Sequence, residues 1–345
     1  MRPDCRKARL RLVGRTAQQH ASSGAAGRQC DTCAVRKHIY IYSPSSAVRD
    51  KAAFRRGVQR LKALGHEVEL DEAALGSYQR FAGDDDTRLA AIHRVAAEAP
   101  SIAMATRGGY GLSRLMDGIN WKLLARSAER GTRWVGHSDM TALQLGLLAH
   151  AKGASSITWA GPMACFDFGR EAPEHGVKPV DAVDEITRDC FVEAMGGQLE
   201  AVGFRTEAGF DGLDVKGRLW GGNLAMLCSL LGTPHWPAKA AQGGILFLED
   251  VAEHPYRVER LLLQLHQAGV LARQKAVLLG DFSGWRKSPL DRGYTLKSAI
   301  QHLRGQVKTP ILTGLPFGHV PTKVSLPVGQ RVQLVVQGRD VLVGW

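Results

Sequence analysis

Apolar residues along this chain follow two periods. Ile39–Tyr42 is a short unbroken apolar run closed by Ser43 and Pro44, which predicts a buried strand. Phe54, Val58, Leu61 and Leu64 follow at helical spacing, with Gly65 as the stop. The pattern then predicts a strand at His66–Leu70, a polar-faced helix over 84–98, a strand at Ser101–Thr106, a helix near 112–129 and a strand at Arg133–Gly136. Met140–Ala151 reads as a strongly apolar helix. Strands alternating with helices predict an α/β fold with a mainly parallel sheet covered on both faces. In such sheets, sites form at the carboxyl ends of the strands.

The pattern changes further on. Residues 166–212 are polar and irregular, with Pro173 and Pro179, and predict a connection with some helix. A strand and turn at Gly217–Gly222, a helix at Leu224–Leu231, a strand at Gly244–Leu248, a helix at Tyr256–Ala268 and a strand at Ala276–Gly280 come next. Val324–Val343 is rich in β-branched residues, with Gly329 and Gly338 as turns. With 345 residues, two domains are expected. They are an α/β domain over 38–165 and, after a linker over 166–212, a smaller, mixed, β-rich domain over 213–345.

Charge is uneven. Residues 1–37 carry nine Lys/Arg against Asp4 and Asp31, a formal +7 of the whole chain's +12, so the remainder carries +5. The first segment reads as a disordered basic leader or an over-long start; a basic tail that binds nucleic acid is the competing reading. No window of about 18 apolar residues is present, so neither a membrane span nor a membrane partner is expected. Residues 1–37 also lack the apolar core of a secretory signal, and a cytoplasmic location is expected. Cys30 and Cys33 form one C-x-x-C without a second pair, too few ligands for a structural zinc site. Cys165, Cys190 and Cys228 are scattered, as buried thiols are.

Two segments at predicted strand ends carry chemistry. Gly136-His137-Ser138-Asp139 is a strand running into a sharp turn and then a helix. That arrangement exposes a serine hydroxyl over a helix N-terminus, although Met140 stands where G-x-S-x-G has its second glycine. Helix capping is the plain alternative for Ser138. In Thr106-Arg107-Gly108-Gly109-Tyr110-Gly111 the glycines permit close backbone approach, and their amides could bind an anion. A P-loop is excluded because no Lys-Ser/Thr follows. Among twelve histidines, His319 sits in the rigid Pro316-Phe317-Gly318-His319-Val320-Pro321 loop, and His254 is its rival as a base. Glu249 or Asp250 at a strand tip could orient that base, and spacing does not choose between them. Arg107 suits a carboxylate or braces the glycine loop. Asn223 binds peptide or caps the helix behind it.

These stretches resemble one family. R-G-G-Y-G at 107–111, G-H-S-D at 136–139 with T-A-L behind it, G-P-M at 161–163, L-W-G-G-N-L-A-M-L at 219–227, L-E-D at 248–250 with E-H-P-Y-R-V-E-R at 253–260, and G-L-P-F-G-H at 314–319 are similar to motifs of the LD-carboxypeptidases, serine peptidases also called muramoyltetrapeptide carboxypeptidases. The resemblance covers residues 38–345. It implies Ser138 as nucleophile, Glu249 as orienting acid and His319 as general base, with an oxyanion hole from the amides of Gly109 and Asp139. It further implies a flavodoxin-like, class I glutamine amidotransferase-like first domain, a homodimer, and murein tetrapeptide as substrate, with neither metal nor organic cofactor. Within the family, some relatives instead cleave peptidyl-adenylates and confer antibiotic immunity. Residues 1–37 have no counterpart in the pattern, and Asn120 stands where an acid is common.

Overall fold

The computed structural model describes residues 36–171, 182–239 and 241–345. The basic segment to residue 35, with Cys5, Cys30 and Cys33, lies outside the described residues, as do Pro173 and Pro179.

The first lobe contains β1 (His38–Tyr42), α1 (Lys51–Ala63), β2 (Glu67–Leu70), α2 (Asp85–Glu98), β3 (Ile102–Ala105), α3 (Trp121–Glu129), β4 (Arg133–Gly136), α4 (Met140–His150) and β5 (Thr158–Ala160). The second contains α5 (Glu185–Gly196), β6 (Ala201–Arg205), β7 (Asp214–Asn223), α6 (Leu224–Ser229), β8 (Ile245–Val251), α7 (Pro255–Gln267), β9 (Ala276–Ser283), α8 (Leu296–Gln306) and β10 (Ile311–Thr313). Three strands end the chain: β11 (Leu326–Val328), β12 (Arg331–Gln337) and β13 (Asp340–Gly344).

Strands β2, β1, β3, β4 and β5 pair in parallel in that order, and β11 adds antiparallel to β5. The second sheet runs β10-β9-β8-β7-β12-β13-β6. Its β10-β9-β8-β7 half is parallel and the rest antiparallel. The protein is thus α/β with two mixed sheets. The second sheet has seven strands to the first sheet's six, so the region expected to be smaller and β-rich is instead half α/β. The physical cause lies in Leu219–Trp220, Ile245–Leu248 and Ala276–Leu279, apolar runs buried throughout, which need helices on both faces. The polar connection over 166–212 holds α5 and the edge strand β6.

The helix expected near 112–129 is broken. Two short 3₁₀ turns precede α3, and the Asn120 side chain accepts from the Leu123 amide to start the helix there. Helix α4 is apolar all round because it is covered all round. It packs on β4 and β5 of its own sheet and on β7 and α6 of the other lobe, and Met140–Leu148 are all buried. The helix that begins at the serine turn is therefore also the shared core of the two lobes.

Candidate active site

The carboxyl ends of the parallel strands β4 and β7 meet at the start of α4, where the Asn223 backbone amide donates to Thr141 Oγ1. Ser138 follows β4 and holds φ +65°, a conformation that side-chain-bearing residues rarely adopt. Gly136 makes the turn possible, since a Cβ there would lie 2.7 Å from Met140 Cγ. The strained turn leaves Ser138 half-buried, and its hydroxyl makes no hydrogen bond among the described residues. The Asp139 side chain points the other way. Its buried carboxylate accepts from Ser45 Oγ at 2.6 Å and the Leu112 amide at 2.9 Å, tying the serine turn to two neighbouring loops. Burial raises its pKa, against those hydrogen bonds.

The glycine loop after β3 lies directly against the serine. A Cβ on Gly108 would stand 2.6 Å from Ser138 Cβ and 2.7 Å from its Oγ. Gly109, at φ +109°, is exposed. The amides of Gly109 and Asp139 donate to no acceptor among the described residues, so both remain unspent beside the hydroxyl. Arg107 is half-buried, donates weakly to the Ala47 carbonyl at 3.3 Å, and forms no ion pair among the described residues.

Across the seam, β8 carries a bulge between Leu248 and Asp250. The bulge leaves Glu249 opposite Asn223 of β7 and without a partner on β9. Glu249 is fully buried, and its Oε2 lies 2.7 Å from His319 Nδ1. Asn223 Nδ2 donates to Glu249 Oε1 at 3.3 Å and to Asp250 Oδ1 at 2.9 Å. The Asn223 Oδ1 caps α6 through the Met226 amide, and the backbone N–H of Asn223 donates to Thr141 Oγ1 in the first turn of α4. Asn223, expected among the substrate-binding residues, thus has both its amide hydrogens committed inside the protein. Asp250, the alternative acid, accepts from Ala225 and Val251 amides as well and does not reach His319. Its desolvation by burial pushes its pKa up to about 6.

The His319 loop is fixed from below. Asp281 N–H donates to the Phe317 carbonyl at 2.8 Å, and the Gly318 turn, at φ +145°, sits on Asp281. The imidazole packs edge-on against His137, with centroids 5.1 Å apart, and against Phe166 at 5.8 Å. His137 is buried beside the serine, with Nδ1 3.0 Å from the Gly161 carbonyl. Desolvation, and then the nearby Lys323 ammonium, hold its pKa well below the usual histidine range. It is a neutral packing partner of His319. His319 makes no hydrogen bond to Ser138 in this geometry; its Nε2 is left over on the ring that packs beside the serine turn.

His254, the rival base, caps α7, lies 3.2 Å from Asp291 Oδ2, and stacks near Tyr256 and Trp285. It joins none of the groups above. Sequence reasoning missed one pair at this seam. Lys323, fully buried, pairs with the buried Asp167 and donates to the Val320 carbonyl at 2.8 Å, one turn beyond His319. A lysine in a polar loop and an aspartate in a polar connection gave no signal before the chain was folded.

An unbonded hydroxyl on a strained turn, next in the chain to a histidine whose ring packs on an imidazole held by a buried carboxylate, is equipment suited to a serine-type hydrolase. Comparison with known proteins narrows this. Residues 39–158 match the LD-carboxypeptidase N-terminal domain and residues 216–334 the LD-carboxypeptidase C-terminal domain. The chain belongs to the LD-carboxypeptidase family. It is 37% identical to the muramoyltetrapeptide carboxypeptidase of Oxalobacter formigenes, whose crystal structure superposes with a TM-score of 0.76 over 89% of this chain and 99% of that one. It is 28% identical over 311 residues to the murein tetrapeptide carboxypeptidase of Pseudomonas aeruginosa, covering 86% of this chain and 92% of that protein. The microcin immunity protein MccF, in complex with glutamyl sulfamoyl guanosine, shares the fold at 22% identity and a TM-score of 0.75, over 90% and 96% of the two chains.

Proposed function

We propose that this chain is a serine carboxypeptidase that releases terminal D-alanine from murein tetrapeptide. The observation that carries the mechanism is the 2.7 Å contact between His319 Nδ1 and the fully buried Glu249, at the seam where the Ser138 hydroxyl stands unbonded. Closure on substrate brings His319 Nε2 within reach of Ser138 Oγ; such contacts commonly tighten only in the complex. His319 then takes the hydroxyl proton as Oγ attacks the carbonyl between the L-centre of the diamino acid and D-alanine. The free amides of Gly109 and Asp139 receive the oxyanion. His319 passes the proton to the leaving amine, and D-alanine departs. Water, deprotonated by the same imidazole, then hydrolyses the acyl-enzyme and frees the tripeptide. Glu249 accepts from Nδ1–H, fixes that tautomer and stabilises the imidazolium. Asn223 is a positioning residue that holds Glu249. Arg107, without an ionic partner among the described residues, receives the terminal carboxylate.

The order of the five parallel strands, 2-1-3-4-5, supports a flavodoxin-like reading of the first lobe. We also infer a cytoplasmic enzyme, a reading that rests on the family resemblance; among the described residues no helix is long and apolar enough to cross a membrane. The family resemblance supports a homodimer.

The test is D-alanine release from purified tetrapeptide. Ser138→Ala and His319→Ala are expected to lose most of the activity, and His254→Ala to keep it. Undiminished release by Ser138→Ala would remove the mechanism.

A further inference from the structure

The lobes meet a second time at the rear of α4. There, a cleft of about 570 Å³ is lined by Lys152 from the segment after α4, Arg218 from β7, Lys239 from the loop after α6, and Arg331 from β12. Trp236 and the end of α4, at His150, form its wall. No Asp or Glu lines it, and none of the four cations forms an ion pair among the described residues. A cleft fed by four cations from four segments has a strongly positive potential.

A second observation is independent of the cavity. Arg218 and Arg331 stand directly opposite one another in the antiparallel β7–β12 ladder. Cross-strand partners share a face, and like charges in that position repel. Arg218 is half-buried, its guanidinium donating to the Gly329 carbonyl, so it is not free to swing away. Two arginines held in register without a counter-charge are what a bidentate oxyanion would bridge.

We propose that this rear cleft is a binding site for a small polyanion, with phosphate or carboxylate groups bridged between Arg218 and Arg331 and flanked by Lys152 and Lys239. The site is separate from the catalytic seam. Helix α4 spans Met140 to His150, so about 16 Å of helix lies between the serine turn and the cleft. Strand β7 likewise runs from Arg218 at the cleft to Asn223 at the catalytic end. The ligand would touch both lobes and the far ends of two elements that hold the catalytic groups.

The experiment is calorimetric titration of the full chain with pyrophosphate and with citrate at constant ionic strength. Saturable binding of at least one is expected. The Arg218→Gln/Arg331→Gln variant should bind at least about tenfold more weakly, the worth of one charged hydrogen bond. Its tetrapeptide hydrolysis without anion should match the parent's. Lys152→Gln/Lys239→Gln, at exposed positions, should weaken binding in the same direction and guards against misfolding of the arginine variant. Preference for pyrophosphate or for citrate identifies the phosphate or the polycarboxylate class. Absence of saturable binding to both anions, or undiminished affinity in both variants, overturns the proposal.

Discussion

Gly108→Ala tests the geometry around the nucleophile without removing any functional group. The added Cβ would stand 2.6 Å from Ser138 Cβ, 2.7 Å from its Oγ and 3.3 Å from the Asp139 nitrogen. Comfortable carbon–carbon separation is about 3.5–4.0 Å, so one side must move by about 1 Å. The serine cannot yield easily, because Gly136 is packed on Met140 and the Asp139 carboxylate is fastened to Ser45 and Leu112. Displacement of that size costs about 10²-fold in rate when it misaligns reacting atoms. Overpacking of this kind costs about 1–3 kcal/mol in stability. The expected result is therefore a kcat/KM for D-alanine release down about a hundredfold, with a folded protein whose melting temperature falls by a few degrees. Gly305→Ala is the matched control, as a Cβ there meets nothing within 4 Å. It should keep full activity and gain up to about 1 kcal/mol, since glycine is a poor helix residue. If Gly108→Ala hydrolyses tetrapeptide at the parental rate, the glycine loop does not abut the nucleophile as described.

Two further outcomes follow from buried charge. Asp250 holds its proton to about pH 6, whereas in the unfolded chain it ionises near pH 4. The native state binds the extra proton between those values, so stability falls as pH rises from about 4 to 6, by an amount on the order of 3 kcal/mol. Denaturant titrations of Asp250→Asn should lack that slope; an unchanged slope would assign it elsewhere. Lys323→Met leaves Asp167 buried without its cation and should cost about 3–5 kcal/mol. Adding Asp167→Leu should recover much of that loss in the same unfolding measurement, and a double variant no better than the single one would refute a pairwise account.

Much of the first lobe was legible because each element declares itself locally. Arg133–Gly136 and Met140–Ala151 were readable from an apolar run, a glycine and a helix period, and the structure has a strand and a helix there within a residue. Strands β5 and β10, of three residues each, are too short for a pattern to rise above its surroundings, and β6 lies in a stretch whose polarity reads as loop. Within the site, the two loops at strand ends were visible as glycine and serine turns. Spacing alone did not choose Glu249 over Asp250, and only the family resemblance did, because the bulge that separates their positions depends on pairing with β9. Asn223 looked like a substrate contact or a cap, and only folding revealed its hold on two carboxylates.

The last twenty-odd residues make an excursion that bears on how the molecule can be cut. After the His319 loop the chain enters the first sheet as β11, then returns to the second sheet as β12 and β13. The amino-terminal half thus receives its closing strand from the far end of the polypeptide, and a truncated fragment ending at residue 171 would expose the edge of β5 to neighbouring chains. The first sheet can be completed only once β11 has been made, and a protein split between the lobes should regain its shape only when both pieces are supplied together.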